Sequence, residues 1–241
     1  RRPQRSTLFP YTTLFRSAMI PNSSDINLFK PGTKDKMEIP GCSTDDFVAI
    51  FTGAHGIANG LNDVIHAASH VKKYGCHHIK FVFVGDGMLK NKIMKDAQSM
   101  ELTNCIFLDP VPRSKLIDYM QAADLGLMIL DNVPAFYYGT SPNKFFDYLA
   151  CGLPVFVNYP GWMSDLVLNN NCGITTPPGN SELFAKNLVE LSKNKDKLNE
   201  MRKNSRKLAE NEFSSALISD RFEKFLCSIY NLKQQKSNNN Y

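Results

Sequence analysis

The sequence lacks the features that set special protein classes apart. No apolar run reaches the roughly 18 residues that a membrane-spanning helix needs, and no stretch combines the charged, apolar and small-residue regions of a secretory signal. The six cysteines are scattered singly, without the CxxC spacing of zinc sites. These absences argue against a membrane span, a disulfide-stapled miniprotein and a cysteine-based metal site, and they favour reduced thiols in a cytoplasmic protein.

Strong charge is also missing from most of the chain. The 241 residues carry a formal net charge of +5, but Arg1, Arg2, Arg5 and Arg16 supply four of those charges within a segment that has no acidic residue. The remainder is nearly neutral, so no nucleic-acid partner is expected. The composition is otherwise globular, with 43% hydrophobic and 21% charged residues.

The two ends of the chain differ from its body. Residues 7–17 read TLFPYTTLFRS, the translation of a common sequencing-library adapter, and we interpret residues 1–17 as a disordered scar. A basic targeting peptide is the alternative, and it fits the composition less closely. Native sequence would then be missing upstream, which makes the chain a fragment. Residues 18–45 are expected to be an interdomain linker remnant, and residues 233–241 a frayed polar tail.

Apolar runs alternate with helical patterns over residues 46–213. Runs such as FVAIFT, FVFV and LGLMIL are apolar throughout, which is typical of parallel strands covered on both faces. Glycine loops and residues at helical spacing follow the first two. About six such strands predict an α/β fold, a doubly wound, Rossmann-like parallel sheet. The chain turns helical after residue 181, with a last helix predicted over 214–232.

Ligands of such sheets bind beyond the carboxyl ends of the strands, and one helix start there carries a clear signal. In the helix predicted over 142–150, Ser141 is a suitable N-cap and Pro142 a suitable first residue, which leaves the first N–H groups free for an anion. Lys144 adds a positive charge, and Asp147 lies one turn deeper on the same face. This suits the phosphate and ribose of a nucleotide. The alternative is a capped helix with a surface Lys144–Asp147 ion pair.

Two glycine-rich loops follow predicted strands. Residues 53–60 read GAHGIANG, and their three glycines would let backbone approach a ligand closely; the alternative is a plain loop with a solvated His55. Residues 85–90 read GDGMLK, which begins like a dinucleotide-binding fingerprint but has Lys90 where the third glycine belongs. A nicotinamide site is therefore not expected. Two histidines four residues apart on the next helix lack the glutamate of HExxH, so no metal site is predicted.

At these residues the sequence resembles the C-terminal domain of retaining GT-B glycosyltransferases of the "glycosyl transferases group 1" family, most closely the bacterial surface-polysaccharide type. The resemblance spans about residues 19–230. It implies one half of a GT-B fold, without the acceptor-binding half. Six landmarks in the same order carry it: IPNSSDINLF (20–29), FTGAHGIANGLNDVI (51–65), FVGDG (83–87), PVPRSKLIDYMQAADLGL (110–127), GTSPNKFFDYLACGLPVF (139–156) and PGWMSDLVLNNNCGITTPPGN (160–180).

By position, the resemblance assigns roles to individual residues. Asp147 falls on the second acid of the family's Glu-x7-Glu motif, which holds the ribose of the donor, and Gly139 falls on the first acid, which touches the transferred sugar. The Arg and Lys that hold the diphosphate in the family fall on Ala54 and Asn59. Because both positions lack a charge here, Lys144 becomes the candidate for the missing phosphate contact.

The same resemblance implies the rest of the binding site. Segment 111–116 would cover the base, and Trp162 would line the sugar pocket, with a half-buried packing role as the alternative. The predicted catalytic residues are Lys144 and Asp147. The predicted binding residues are Gly53, Ala54, His55, Gly56, Asn59, Gly85, Arg113, Leu116, Gly139, Thr140, Ser141, Asn143, Lys144, Asp147 and Trp162.

The reaction implied is retaining transfer of a hexose or N-acetylhexosamine from a nucleotide-diphosphate sugar, with UDP as the default, to a glycan or lipid-linked acceptor. A helix N-terminus and a lysine can stabilise the departing diphosphate, so neither metal nor cofactor is expected. The fragment would be inactive, and the full-length enzyme cytoplasmic, with peripheral association at the inner face of the plasma membrane compatible with the family. Two alternatives stay open: a noncatalytic nucleotide-sugar-binding module and a nucleotide-sugar epimerase of related architecture.

Overall fold

Six parallel strands form one sheet in the computed structural model, which describes residues 18–238 and the side chains of residues 18–231. The strands are β1 (Phe47–Thr52), β2 (Ile79–Val84), β3 (Cys105–Leu108), β4 (Leu125–Met128), β5 (Val155–Val157) and β6 (Gly173–Thr175). Their order across the sheet is β3-β2-β1-β4-β5-β6. The predicted doubly wound parallel sheet is confirmed. Because the winding reverses between β1 and β4, a crevice is expected beyond the carboxyl ends of these two strands.

The strands are apolar throughout because both faces of the sheet are covered. Every residue of β1, β4 and β5 is buried. Val48 and Ile50 belong to one apolar cluster, whereas Ala49 and Phe51 belong to a second cluster on the opposite face. Successive side chains of a strand point to opposite faces, so each needs an apolar partner. This explains the continuous apolar runs in the sequence.

Helices connect the strands and continue beyond the last one. Within the described residues they are α1 (Leu61–Lys73), α2 (Lys90–Ser99), α3 (Arg113–Ala122), α4 (Pro134–Tyr137), α5 (Asn143–Ala150), α6 (Trp162–Asn169), α7 (Ser181–Ser192), α8 (Lys195–Glu212) and α9 (Ser215–Asn238). Single 3-10 turns lie at Lys36–Glu38 and Ile57–Asn59. In the described part of the chain, no helix is both long and apolar enough to span a bilayer.

The segment before β1 packs on the body of the domain. Phe29 and Ile39 are buried in the core, and Ser24 joins the start of α9 through its bridge to Ser214. The guanidinium of Arg206 donates to the carbonyl oxygens at Ile26 and Phe29 at 3.0–3.1 Å. Residues 18–45, which we expected to be a linker remnant, therefore hold fixed contacts with the sheet and helices.

The end of the last helix also differs from expectation. The predicted C-terminal helix over 214–232 continues to Asn238, so residues expected to begin a frayed tail at 233 are helical. An 18-residue helix precedes it and contributes Leu208 and Ala209 to the core. Residues 1–17, interpreted as a scar, lie outside the described residues.

Candidate functional site

Loops at the carboxyl edge of the sheet meet at the start of α5. The β1–α1 loop reaches it through Asn59, whose Oδ1 accepts a hydrogen bond from Lys144 Nζ at 2.8 Å. A Cβ placed on Gly53 would stand 3.8 Å from the same nitrogen. The β2–α2 loop packs behind the β1–α1 loop through Gly85 and Gly87. The sheet thus brings three segments that are distant in sequence together, and one of them, the β1–α1 loop, contacts the Lys144 amine of α5.

Lys144 is half-buried and lies on an aromatic ring. Its Nζ lies 4.1 Å from the centroid of Phe51, where the negative face of the ring attracts a cation. Apart from the side chain of Asn59, no polar side chain of the described residues bonds to it, and none of their carboxylates pairs with it. Burial lowers the pKa of the Lys144 amine to about 7 because the charged form is poorly hydrated there. A bound anion would compensate for that lost hydration.

Asp147 turns away from Lys144 toward the N-terminal segment. The Ser24 hydroxyl donates to its Oδ1 at 2.7 Å, and Oδ2 receives no hydrogen bond from the described residues. Burial raises the pKa of the Asp147 carboxyl, an effect that the Ser24 hydroxyl and the Arg113 charge oppose. The alternative expectation of a surface Lys144–Asp147 ion pair is therefore wrong. A carboxylate oxygen remains able to accept hydrogen bonds from the hydroxyls of a ligand.

The start of α5 differs by one residue from the prediction. Pro142 has extended backbone, with φ −77° and ψ 140°, and occupies the N-cap position, so the helix begins at Asn143. Ser141 does not cap it, because its Oγ accepts the backbone N–H of Asn22 at 2.9 Å and its carbonyl accepts the Asn22 side-chain amide. The N–H groups of Asn143 and Lys144 are still in the first turn, where no intrahelical acceptor exists.

The glycines of the two loops serve different purposes. Gly85 has φ +141°, and a Cβ on it would stand 2.1 Å from the carbonyl oxygen of Gly53; a Cβ on Gly87 would stand 2.7 Å from the backbone nitrogen of His55. These two glycines let one loop pack on the other, which differs from the ligand approach we predicted for Gly85. Gly56 has no atom within 4 Å of a Cβ and faces open space.

His55 is fully buried, so the alternative expectation of a solvated histidine is wrong. Its ring lies between Phe51 and Phe83, at centroid distances of 5.8 and 6.3 Å. Neither ring nitrogen is hydrogen-bonded by the described residues. Burial lowers the pKa of His55, so the ring is neutral at neutral pH. His55 therefore supports the loop from behind instead of facing a ligand.

Lys90 is a structural residue whose role the sequence did not reveal. Its Nζ donates to the carbonyl oxygens of Gly85 and Leu108 at 3.0 and 3.2 Å and pairs with Asp109 Oδ1 at 2.6 Å. The lysine that replaces the third glycine of a dinucleotide fingerprint therefore ties the ends of β2 and β3 together. The only sequence signal was its place one turn after a glycine loop.

The side chains predicted around the sugar and base take up mixed positions. Trp162 donates from Nε1 to the carbonyl oxygen of Thr140 at 3.1 Å, and its ring packs on Phe145 and Phe146. It thereby holds the loop before α5, as the packing alternative predicted. Gly139 has no atom within 4 Å of a Cβ, so the position of the family's first acid is open space.

Segment 111–116 leads into α3 beside the N-terminal segment. Arg113 is exposed, and its guanidinium lies 4.7 Å from the ring centroid of Phe29. Leu116 is half-buried against the core.

Asn59 Nδ2 donates to the carbonyl oxygen of Ala54 at 2.8 Å, which braces the β1–α1 loop. Among the described residues, no group of three or more His, Cys, Asp or Glu side chains could hold a metal ion.

Comparison with known proteins agrees with the fold. Residues 33–208 match the family model described as "Glycosyl transferases group 1". Comparison with curated proteins finds no match. The Anabaena protein HepE in complex with UDP and glucose superposes with a TM-score of 0.73 at 21% identity, covering 88% of this chain and 56% of that one.

Two further solved structures bear on the extent of the chain. Sucrose-phosphate synthase from Thermosynechococcus elongatus gives a TM-score of 0.73 at 18% identity, over 89% of this chain and 53% of its own. The C-terminal domain of LpcC from Francisella tularensis gives 0.65 at 16% identity, over 80% of this chain and 99% of that domain. The chain thus corresponds to one GT-B domain and spans about half the length of the first two structures.

Proposed function

The chain belongs to the glycosyl transferases group 1 family, and from that premise we propose that its carboxyl-edge loops bind the nucleotide-diphosphate part of a sugar donor. One observation carries the proposal. The Lys144 amine has no carboxylate partner among the described residues and lies at the first turn of α5, one turn before a half-buried carboxylate at Asp147. A cation and free N–H groups suit the diphosphate, and a carboxylate acceptor suits the ribose hydroxyls.

The chemistry follows from where charge develops. Transfer of the sugar breaks the bond between its anomeric carbon and the diphosphate, so negative charge grows on the departing phosphate oxygen. Lys144 and the N-terminal end of α5 would stabilise that charge. They lower the barrier only if they bind the departing diphosphate in the transition state more tightly than they bind the intact donor. We propose UDP as the nucleotide, supported by the UDP and UDP-glucose complexes of the structurally similar HepE.

The acceptor and the course of the reaction extend the proposal to the whole enzyme. We propose retention at the anomeric carbon and a glycan or lipid-linked acceptor held by a second domain, in an enzyme of polysaccharide biosynthesis working at the cytoplasmic face of a membrane. The share of the longer structures that this chain covers supports its being the donor-binding half. Alone, the 241-residue chain should bind the donor and transfer nothing, because the acceptor wall comes from elsewhere.

Calorimetric titration of the 241-residue chain tests the proposal. UDP should bind weakly, and more tightly than uridine, because only UDP reaches the Lys144 amine. Lys92→Ala is the control for loss of a lysine at Lys144, since this exposed lysine lies on α2 and pairs with Asp96. Failure of both UDP and uridine to bind at millimolar concentrations would overturn donor binding. Sugar transfer by the 241-residue chain alone would overturn its assignment as half of an enzyme.

A noncatalytic nucleotide-sugar-binding module is the second candidate. The observation that favours it is Gly139, which puts open space where the family resemblance places a carboxylate on the sugar. The coding sequence upstream of Ala18 separates the two. A second Rossmann-like half that restores sugar transfer when joined to this chain supports the enzyme, and an unrelated partner domain supports the module.

A further inference from the structure

The Asn59 side chain connects the β1–α1 loop to Lys144. Its Nδ2 donates to the carbonyl oxygen of Ala54, and its Oδ1 accepts from Lys144 Nζ, each at 2.8 Å. The amide holds the amine in place but brings no negative charge to it. The orientation of the amide is fixed by these two bonds, because only its oxygen can accept from the ammonium group and only its nitrogen can donate to a carbonyl.

No negative charge around Lys144 balances the amine. On its own helix, Asp147 is bonded to Ser24, and the ring of Phe51 covers the Nζ. None of the ionisable side chains of the neighbouring loops pairs with it within the described part of the chain. Each of these side chains is occupied elsewhere: His55 is neutral and buried, Asp86 accepts the N–H of Gly87, Lys90 pairs with Asp109, and Asp131 accepts the N–H of Asn132.

A diphosphate entering this site would change the balance. Each phosphate of a nucleotide sugar carries a negative charge, and charge-assisted hydrogen bonds favour the protonated amine. The free amine is half-buried and has no carboxylate partner among the described residues. The amide oxygen of Asn59 and the ring of Phe51 replace only part of the hydration that the charge loses, so the amine is protonated less often than that of an exposed lysine. The complex therefore holds more protons than the free protein and the free donor together, and its formation weakens as the pH rises.

We propose that nucleotide-diphosphate binding at this site takes up a proton at Lys144, and that Asn59 is the positioning residue that sets this coupling. The proposal rests on the proposed function, because it deepens the role of the same amine. It makes donor affinity pH-dependent near neutrality, which an arginine at the same position would not do, since a guanidinium stays charged.

Calorimetry of UDP-glucose binding at pH 8 in two buffers of different ionisation enthalpy measures the coupling directly. UDP-glucose is the probe because its phosphates do not titrate in this range, unlike the terminal phosphate of UDP. The wild-type chain should take up a measurable fraction of a proton for each UDP-glucose bound. Lys144→Arg should bind without proton uptake, and the exposed-site control Lys92→Arg should behave like the wild type.

Asn59→Asp tests the positioning role. A carboxylate in place of the Asn59 amide would keep the Lys144 amine protonated in the free protein, so proton uptake at pH 8 should fall to near zero. Adding Lys144→Ala to Asn59→Asp should then weaken the affinity for UDP-glucose. The pH titration of the Lys144 amine, followed by NMR of its 13C-labelled Cε without nucleotide, should move to higher pH by more than one unit in Asn59→Asp. An unchanged titration contradicts the role of Asn59.

The outcomes separate this inference from the proposed function. Binding of UDP-glucose without proton uptake, or with equal uptake in Lys144→Arg and the wild type, overturns the inference and leaves donor binding intact. Absence of binding to the folded wild-type chain overturns both. If Asn59→Asp fails to fold, Lys144→Arg still decides the coupling, because it leaves the loop unchanged.

Discussion

Lys144 and Asp147 lie one turn apart on α5, yet they bond to two different segments: Lys144 Nζ to Asn59 of the β1–α1 loop at 2.8 Å, and Asp147 Oδ1 to Ser24 of the segment before β1 at 2.7 Å. The two side chains therefore do not neutralise each other. In the proposed function the cation contacts the phosphate and the acceptor contacts the ribose, and the helix keeps the spacing between them rigid.

The packing of the two glycine loops is testable by stability alone. Gly85→Ala should reduce the free energy of unfolding by about 3 kcal/mol, because Gly85 has a positive φ and the new Cβ would meet the Gly53 carbonyl. Gly56→Ala is the matched control, since its φ is −103° and the space around it is open; it should change stability by less than about 0.5 kcal/mol. Urea denaturation compares the two, and equal losses would contradict the loop packing.

His55 is expected to lower the stability of the fold. Neither of its buried ring nitrogens has a hydrogen-bond partner in the described part of the chain, so His55→Leu should raise the free energy of unfolding at pH 7 by about 1 kcal/mol. Thermal denaturation measures the change, with the exposed His66→Leu as control. A loss of several kcal/mol would show that the ring makes a bond that the packing does not reveal.

His55 also predicts a pH dependence of stability. Burial holds the pKa of His55 in the folded chain below its ordinary value of 6.5, so the folded chain binds fewer protons than the unfolded chain, and stability falls as the pH drops below about 6.5. His55→Leu should flatten the stability profile on that acidic side. Denaturation between pH 7 and pH 5 makes the comparison, and an unchanged acidic slope in the variant would assign the effect to other groups.

Ribose recognition by Asp147 is part of the proposed function. Asp147→Asn keeps the shape and the Oδ1 acceptor for Ser24 but removes the charge, so it should weaken uridine and UDP alike, by about tenfold. Calorimetry or ligand-observed NMR gives both affinities. Ser24→Ala, which leaves the carboxylate in place, is the control for changes in its orientation. Weakening of UDP alone would move Asp147 from the ribose to the phosphate.

Gly139 offers a gain-of-function test. A side chain there meets nothing within 4 Å of its Cβ, so Gly139→Glu should fold with stability changed by less than about 0.5 kcal/mol. If the position faces the transferred sugar, the affinity for UDP-glucose should rise about tenfold relative to UDP. Gly139→Ala controls for the loss of glycine. An unchanged affinity ratio would place the sugar elsewhere.

Much of the fold could be predicted because its signals are local. Runs such as FVAIFT and LGLMIL are continuous in the sequence, and β1 and β4 lie within them. Glycine loops and helical spacing marked the crossovers, and parallel strands joined by helices leave few alternative topologies. The start of α5 differed by one residue because a proline with extended backbone can precede a helix as well as begin it.

The arrangement of the site depends on contacts between distant residues. Ser141 bonds to Asn22, 119 positions away, and Asp147 bonds to Ser24, 123 positions away. No local pattern encodes those pairs. The burial of His55 was hidden for the same reason, since the covering loop at Gly87 comes from a different part of the chain. The hydrogen bond between Asn59 and Lys144 was hidden as well, because a position without charge gave no reason to expect a partner.

The most direct test of the central claim is the ratio of UDP to uridine affinity in Lys144→Ala. A charge-assisted contact to phosphate contributes roughly 1.5–3 kcal/mol, so the substitution should weaken UDP binding by about ten- to a hundredfold and leave uridine binding nearly unchanged. Calorimetric titration of both ligands into the wild type and the variant at pH 6.5, where the amine is mostly protonated, measures the ratio. A fall in the ratio supports diphosphate recognition by Lys144, and an unchanged ratio would contradict it.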